Sequence, residues 1–94
     1  MNKYEVLYIL TAGLDDAAKE AEIEKLNAVI TENGGEVANV NKWGLKRFAY
    51  PIDFKNEGYY VLTDFNARPD FIGEFGRRLK LSENVVRFMI VKKK

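Results

Sequence analysis

Strand-like and helix-like periodicities alternate along this 94-residue chain in the order strand, helix, strand, then strand, helix, strand. That order predicts an α+β sandwich: a four-stranded antiparallel sheet with two helices on one face. Three observations carry the prediction. Residues 4–10 and 59–65 alternate with period two and are largely apolar on both faces, as central strands are. Residues 16–33 and 69–80 place apolar side chains at helical spacing. Pro51 and the loop residues Asp53, Lys55, Asn56 and Gly58 join two limbs, Val40 to Tyr50 and Tyr59 to Phe65, as a hairpin.

In the first strand Tyr4, Val6, Tyr8 and Leu10 alternate with Glu5, Leu7 and Ile9. After a short loop, Asp15 or Asp16 caps the first helix, where the positive end of the dipole favours a carboxylate. Ile23, Leu26 and Ile30 form its inward stripe, flanked by Ala18 and Val29; Lys19, Glu20, Glu22, Glu24, Lys25 and Glu32 form its solvated face. Gly34 and Gly35 end it. The second strand starts near Glu36. Val37 and Val40 differ in parity, so a bulge or strong twist is expected before Trp43 and a kink at Gly44. Pro51 lacks an amide hydrogen and puts this strand at a sheet edge or ends it.

The third strand follows from Tyr59. Pro69 then opens the second helix, with Asp70 in its first turn and Ile72, Phe75 and Leu79 inward. Arg77, Arg78 and Lys80 suit its negative C-terminal end and would equally suit RNA. Ser82, Glu83 and Asn84 turn the chain into a last strand, in which Val86, Phe88 and Ile90 oppose Val85, Arg87, Met89 and Val91. Lys92, Lys93 and Lys94 read as a solvated end that still attracts phosphate.

Right-handed crossovers and antiparallel middle strands resolve this order into a ferredoxin-like split βαβ sandwich, taken as one domain over residues 1–94. The first and third strands are then central and the second and fourth are edges. Val6, Tyr8, Val61, Thr63, Phe65, Phe88 and Ile90 face the helices. Glu5, Leu7, Ile9, Tyr60, Leu62, Asp64, Arg87 and Met89 face outward, a surface with more aliphatics than the aromatic sheet of an RNA-recognition motif. Grouped exposed aliphatics fit a protein partner better than bases.

With 47% apolar and 31% charged residues the composition is that of a soluble globular protein, and no apolar run approaches a bilayer span. A cytoplasmic location is expected. The absence of cysteine and histidine removes thiol nucleophiles, disulfides, cysteine zinc sites and the usual neutral-pH base. The remaining hydroxyls stand in no nucleophile or phosphate-loop motif, which speaks against enzymatic chemistry. Net charge is only +1, but residues 1–40 hold three cations against eight acids and residues 41–94 twelve against six. Such asymmetry hints at a polyanion-facing surface.

The stretch Val40 to Phe65 concentrates that hint. Lys46, Phe48 and Tyr50 share one strand face and Arg47 takes the other, so cations and rings interleave. Ion pairing with phosphates and stacking with bases need this combination. The same pattern also fits core aromatics on an edge strand whose lysines block aggregation.

KYEV at 3–6, GLKRFAYPI at 44–52, GYY at 58–60 and NVVRFMIVK at 84–92 closely resemble the bacterial type of the sixth protein of the small ribosomal subunit, over Lys3 to Lys92. The resemblance implies a non-enzymatic structural role in the ribosome. It also implies binding to the central domain of small-subunit ribosomal RNA together with small-subunit protein eighteen. Lys3, Lys46, Arg47, Tyr50, Arg87 and Lys92 occupy the family's basic or aromatic motif positions. Two departures stand out: many relatives continue past the last strand into a longer, often acidic tail where this sequence reaches Lys94 with three lysines, and Val86 stands where relatives often carry a second arginine.

Pattern and resemblance together give Lys3, Lys42, Lys46, Arg47, Arg87 and Lys92 as candidates for RNA contact. Trp43, Phe48, Tyr50, Tyr60, Leu62 and Met89 are candidates for contact with the protein partner. No catalytic residue, metal, cofactor or small-molecule substrate is expected. The competing reading is a ferredoxin-like regulatory or oligomerisation module that uses the open sheet for self-pairing or a small ligand. Acyl or phosphoryl transfer is disfavoured because Thr11, Ala12, Gly13 and Leu14 make no glycine-rich anion loop.

Overall fold

The chain folds as β1 (Asn2–Thr11), α1 (Asp16–Glu32), β2 (Glu36–Ile52), β3 (Lys55–Ala67), α2 (Phe71–Leu81) and β4 (Val85–Lys92). The structure, a computed structural model, describes the backbone of residues 1–52 and 55–93 and the side chains of residues 1–47 and 57–93. The four strands form one antiparallel sheet in the order β2-β3-β1-β4, so β1 and β3 are central and β2 and β4 are edges. This is the ferredoxin-like arrangement that the alternation predicts.

The pairing register decides which side chains share a face. Val6 lies opposite Thr63 and Ile90, and Tyr8 opposite Val61 and Phe88, all on the helix-covered side. There Ile23, Leu26, Val29 and Ile30 of α1 and Phe71, Phe75 and Leu79 of α2 close over them. Ring pairs Tyr4–Phe65, Phe65–Phe75 and Phe71–Phe75, with centroids 5.7, 5.4 and 5.5 Å apart, tie β1, β3 and α2 together. Each such pair adds about 0.5–1.5 kcal/mol beyond its buried area. Inside this core, burial pushes the Tyr8 phenol well above its usual range.

Asp15 caps α1 by accepting from the Ala18 amide at 2.7 Å. Gly34, at φ +84°, ends the helix, and Gly35 then passes so close to its surroundings that a Cβ would stand 2.7 Å from the Asn66 carbonyl and 2.8 Å from Ile30 Cγ2. The expected irregularities of β2 fall at Val37/Asn39 and Lys42/Gly44. At the second of these Gly44 adopts φ +91°, a conformation that costs glycine little, and the extra residue of the bulge is Trp43.

Three readings of the sequence need correction. Helix α2 begins at Phe71 rather than Pro69, with Asp70 as its N-cap, because residues 68–72 first close a turn in which the Arg68 and Pro69 carbonyls accept from Phe71 and Ile72. That start makes Phe71, Phe75 and Leu79 the buried stripe, and Ile72 flanks it. Strand β3 already includes Lys55, Asn56 and Gly58, which read as loop, because the hairpin pairing reaches Ile52 opposite Lys55. Asp53 and the side chain of Pro51 lie outside the described residues.

Glu22, assigned to the solvated face of α1, is only 5% exposed: its Oε1 accepts from Ser82 Oγ and Asn84 Nδ2, both at 2.9 Å. The turn before β4 supplies these donors, and no local pattern in α1 announces them. The charge asymmetry between the two halves of the sequence would make a dipole only if they lay apart, and in the sheet they interleave, with β1 between β3 and β4.

Gly35→Ala should destabilise the fold by about 1–3 kcal/mol through overpacking, while Gly13→Ala, whose Cβ would meet nothing within 4 Å, should be near neutral. Urea unfolding of the two variants checks this; equal midpoints would contradict the close approach.

Candidate nucleic-acid interface

Both helices lie on one side, so the opposite side of the sheet is left to its own side chains. Strand pairing sorts the middle of this side into three rows running across the strands, flanked by Glu36, Asn66 and Lys3 at one end and by Lys46, Gly58 and Thr11 at the other. The first holds Asn39, Asp64, Glu5 and Val91, the second Asn41, Leu62, Leu7 and Met89, and the third Gly44, Tyr60, Ile9 and Arg87. The open-face residues read from alternation all sit here.

The first row is ionic. Glu5 and Asp64 stand directly opposite each other, a repulsive arrangement on its own. Lys93 relieves it: its Nζ donates to Asp64 Oδ1 at 3.2 Å and lies 3.9 Å from Glu5 Oε2. Its backbone N–H also donates to the Lys3 carbonyl at 2.9 Å, prolonging the β1–β4 ladder. Lys93 is therefore docked, where the sequence suggested a solvated end; only a register reaching one residue past β4 puts it over these carboxylates.

From β3 to β4 the second row is apolar, with Met89 58% exposed, and Val91 beside it is 44% exposed. Leu7, Ile9, Arg87, Phe88 and Met89 line a shallow depression of about 270 Å³ between β1 and β4. In the third row Ile9 is covered by its neighbours, at 7% exposure. Trp43, displaced by the bulge, lies parallel to Tyr60 with ring centroids 6.3 Å apart and planes 7° apart. Lys46 Nζ stands 5.8 Å from the Trp43 ring centroid.

The cations separate by partnership. Lys42, on the helix-covered side opposite Val61, donates to Glu20 of α1. That hydrogen bond raises its pKa. Arg77 and Arg78 both donate to Glu74, which explains two of the three basic residues of α2. By contrast, Lys3, Lys46, Arg47, Arg87 and Lys92 are exposed and form no ion pair among the described residues. Arg47 is in register with Glu57 without closing a bridge. Five of the six sequence-derived RNA candidates are thus uncompensated, and the sixth, Lys42, is compensated.

Their positions are not equivalent. Lys46 and Arg87 stand on the open side at the third-row end, Lys3 on the open side near the ionic row, and Lys92 opposite Tyr4 at the same end as Lys3. Of the partner candidates, Trp43, Tyr60, Leu62 and Met89 share the open side; the side chains of Phe48 and Tyr50 lie outside the described residues. Val86 is the extra residue where the β1–β4 register shifts, and it is half-buried. No helix is long and apolar enough to cross a membrane among the described residues.

The sequence profile of the family described as Ribosomal protein S6 matches residues 3–92. The chain is 46% identical to small ribosomal subunit protein bS6 of Clostridium novyi over 91 residues, covering 97% of this chain and 96% of that protein. It is 45% identical over 92 residues to the bS6 protein of Exiguobacterium sibiricum, covering 98% and 97%. Its backbone superposes on the crystal structure of 30S ribosomal protein S6 from Thermotoga maritima with a TM-score of 0.93 over 98% of this chain and 87% of that one; at 22% identity this likeness concerns the fold.

The paired arginines hold the Glu74 carboxyl at about 2, through hydrogen bonds from Arg77 first and Arg78 second. A depressed folded-state pKa stabilises above the unfolded value of 4.5 and loses that contribution as pH falls towards 2. Carbon-detected NMR titration should find Glu74 titrating near the low end of that window, and Arg77→Ala should move it upward.

Proposed function

The chain belongs to the ribosomal protein S6 family, the non-enzymatic bS6 component of the small ribosomal subunit, and from that premise we propose that it binds the central domain of small-subunit ribosomal RNA jointly with small-subunit protein eighteen. The observation that carries the RNA half is the set of uncompensated cations Lys3, Lys46, Arg47, Arg87 and Lys92. A cation already paired within its own chain must break that pair to meet a phosphate; these five need not. They lie at both ends of the sheet rather than in one cluster, which suits a backbone that runs past the protein instead of a single anion.

The protein half rests on the second row. Met89 is exposed and Leu7 and Leu62 are half-buried, an apolar surface that no helix among the described residues covers, and Tyr60 adjoins it. Burying apolar area yields about 25 cal/mol per Å², so a partner seated on this row supplies affinity that phosphate contacts lose as salt rises. The two contributions are complementary: joint binding tolerates ionic strength better than the phosphate contacts alone.

Charge reversal by Lys46→Glu together with Arg47→Glu should weaken binding of the RNA and protein-eighteen complex by tenfold or more and flatten its salt dependence. The log–log slope should fall by roughly 0.7 to 0.9 per lost phosphate contact. Lys42→Glu, at a position already engaged with Glu20, should change RNA affinity much less. Filter binding at several salt concentrations checks both. Equal losses for the two variants would point to overall charge rather than the proposed contacts.

A further inference from the structure

Resting on the RNA-binding reading, we propose that the third row is a track for single-stranded RNA, in which one unstacked nucleobase lies on Trp43 while phosphates meet Lys46 and Arg87. Pairing places Arg87, Ile9, Tyr60 and Gly44 side by side across four strands, with Trp43 set beside Gly44 by the bulge. At about 4.8 Å between strands, the row spans about 14 Å from β4 to β2, room for two to three nucleotides. Its chemistry runs cation, aliphatic, ring, ring, and Lys46, in register with Gly58 two residues farther along β2, brings a second cation 5.8 Å from the Trp43 ring centroid.

Trp43 carries the inference. It is the chain's single tryptophan, and it is 47% exposed although a large ring on a half-buried strand gains most by covering itself. One neighbour, Tyr60, supports it in a parallel stack at 6.3 Å. Simple filling of the space over Gly44 accounts for that contact. It does not account for the exposed remainder of the ring, or for a cation with no carboxylate partner among the described residues 5.8 Å from its centroid. A base stacked on indole, with its phosphate beside an ammonium, uses both features, and stacking of this kind tolerates any base.

A protein anchor would use the ring without needing Arg87 unpaired at the β4 end of the row and Lys46 unpaired beside the Trp43 ring. The open side is accordingly divided: the third row faces nucleic acid, and the apolar second row, beside carboxylates already satisfied by Lys93, faces protein.

The test measures affinity of the protein together with small-subunit protein eighteen for a central-domain RNA fragment, in wild type, Trp43→Ala, Trp43→Phe and Lys46→Ala. In parallel, emission of Trp43 in the isolated wild-type protein is followed on addition of a six-adenosine RNA. Expected are a roughly tenfold or greater loss for Trp43→Ala, retention of most affinity by Trp43→Phe, a shallower salt slope for Lys46→Ala, and saturable quenching by the RNA. Trp43→Phe keeps an aromatic face and controls for folding. Wild-type RNA affinity in Trp43→Ala would overturn the track while leaving the RNA reading intact. So would a Trp43→Ala protein that loses protein eighteen in the absence of RNA. A wild-type protein that fails to bind the fragment would overturn both.

Discussion

Both crossovers in this chain, from β1 through α1 to β2 and from β3 through α2 to β4, carry their helices to the same side of the sheet. Right-twisted strands feeding right-handed helices leave little choice in the matter. The rest of the molecule follows from that constraint. One set of alternate side chains on β1 and β3 receives α1 and α2 and becomes core. The other set receives neither helix, and apart from Ile9, which its neighbours cover, and the carboxylates that meet Lys93, the described side chains it holds are displayed. Leu7, Leu62 and Met89 on that side are a cost to the isolated protein, recovered only when something else covers them.

The displayed side is ordered rather than mixed. An ionic row closed by Lys93, an apolar row and a row with rings and cations follow one another along the strands, each a single pairing step wide. Antiparallel register is what aligns residues from four separate segments into such rows, and a slip of one residue would exchange them with the core. The fold's hydrophobic register and its functional display are therefore one specification, fixed by the same pairings.

Much of this was readable in advance because it depends on period and parity. Tyr4, Val6, Tyr8 and Leu10 announce their burial by alternation, and the mismatch of Val37 with Val40 announces a bulge without any knowledge of the partner strand. What escaped depends on contacts distant in sequence. Glu22 looks like any outward helix acid until Ser82 and Asn84 are placed against it. Lys42 and Lys46 look alike on paper. A single bulge between them sends one to the helix side, where Glu20 takes it, and leaves the other on the open side. Lys93 gains its role from a register that no single strand specifies, and Phe71 joined the core because a turn delayed the start of α2. Motif similarity identified the family but could not say which cations are spoken for; that sorting required the pairing of strands.

The Glu22 contacts have a bearing on the order in which the molecule assembles itself. Ser82 and Asn84 are 60 and 62 residues away along the chain, so joining them to α1 encloses nearly two thirds of the polypeptide in one loop, an entropic cost that other long-range contacts lessen once made. Closing that loop costs less once β1, β3 and α1 have come together, which favours a late seating of β4. The carboxylate acts chiefly as a latch on the finished state, slowing its opening more than it hastens its formation.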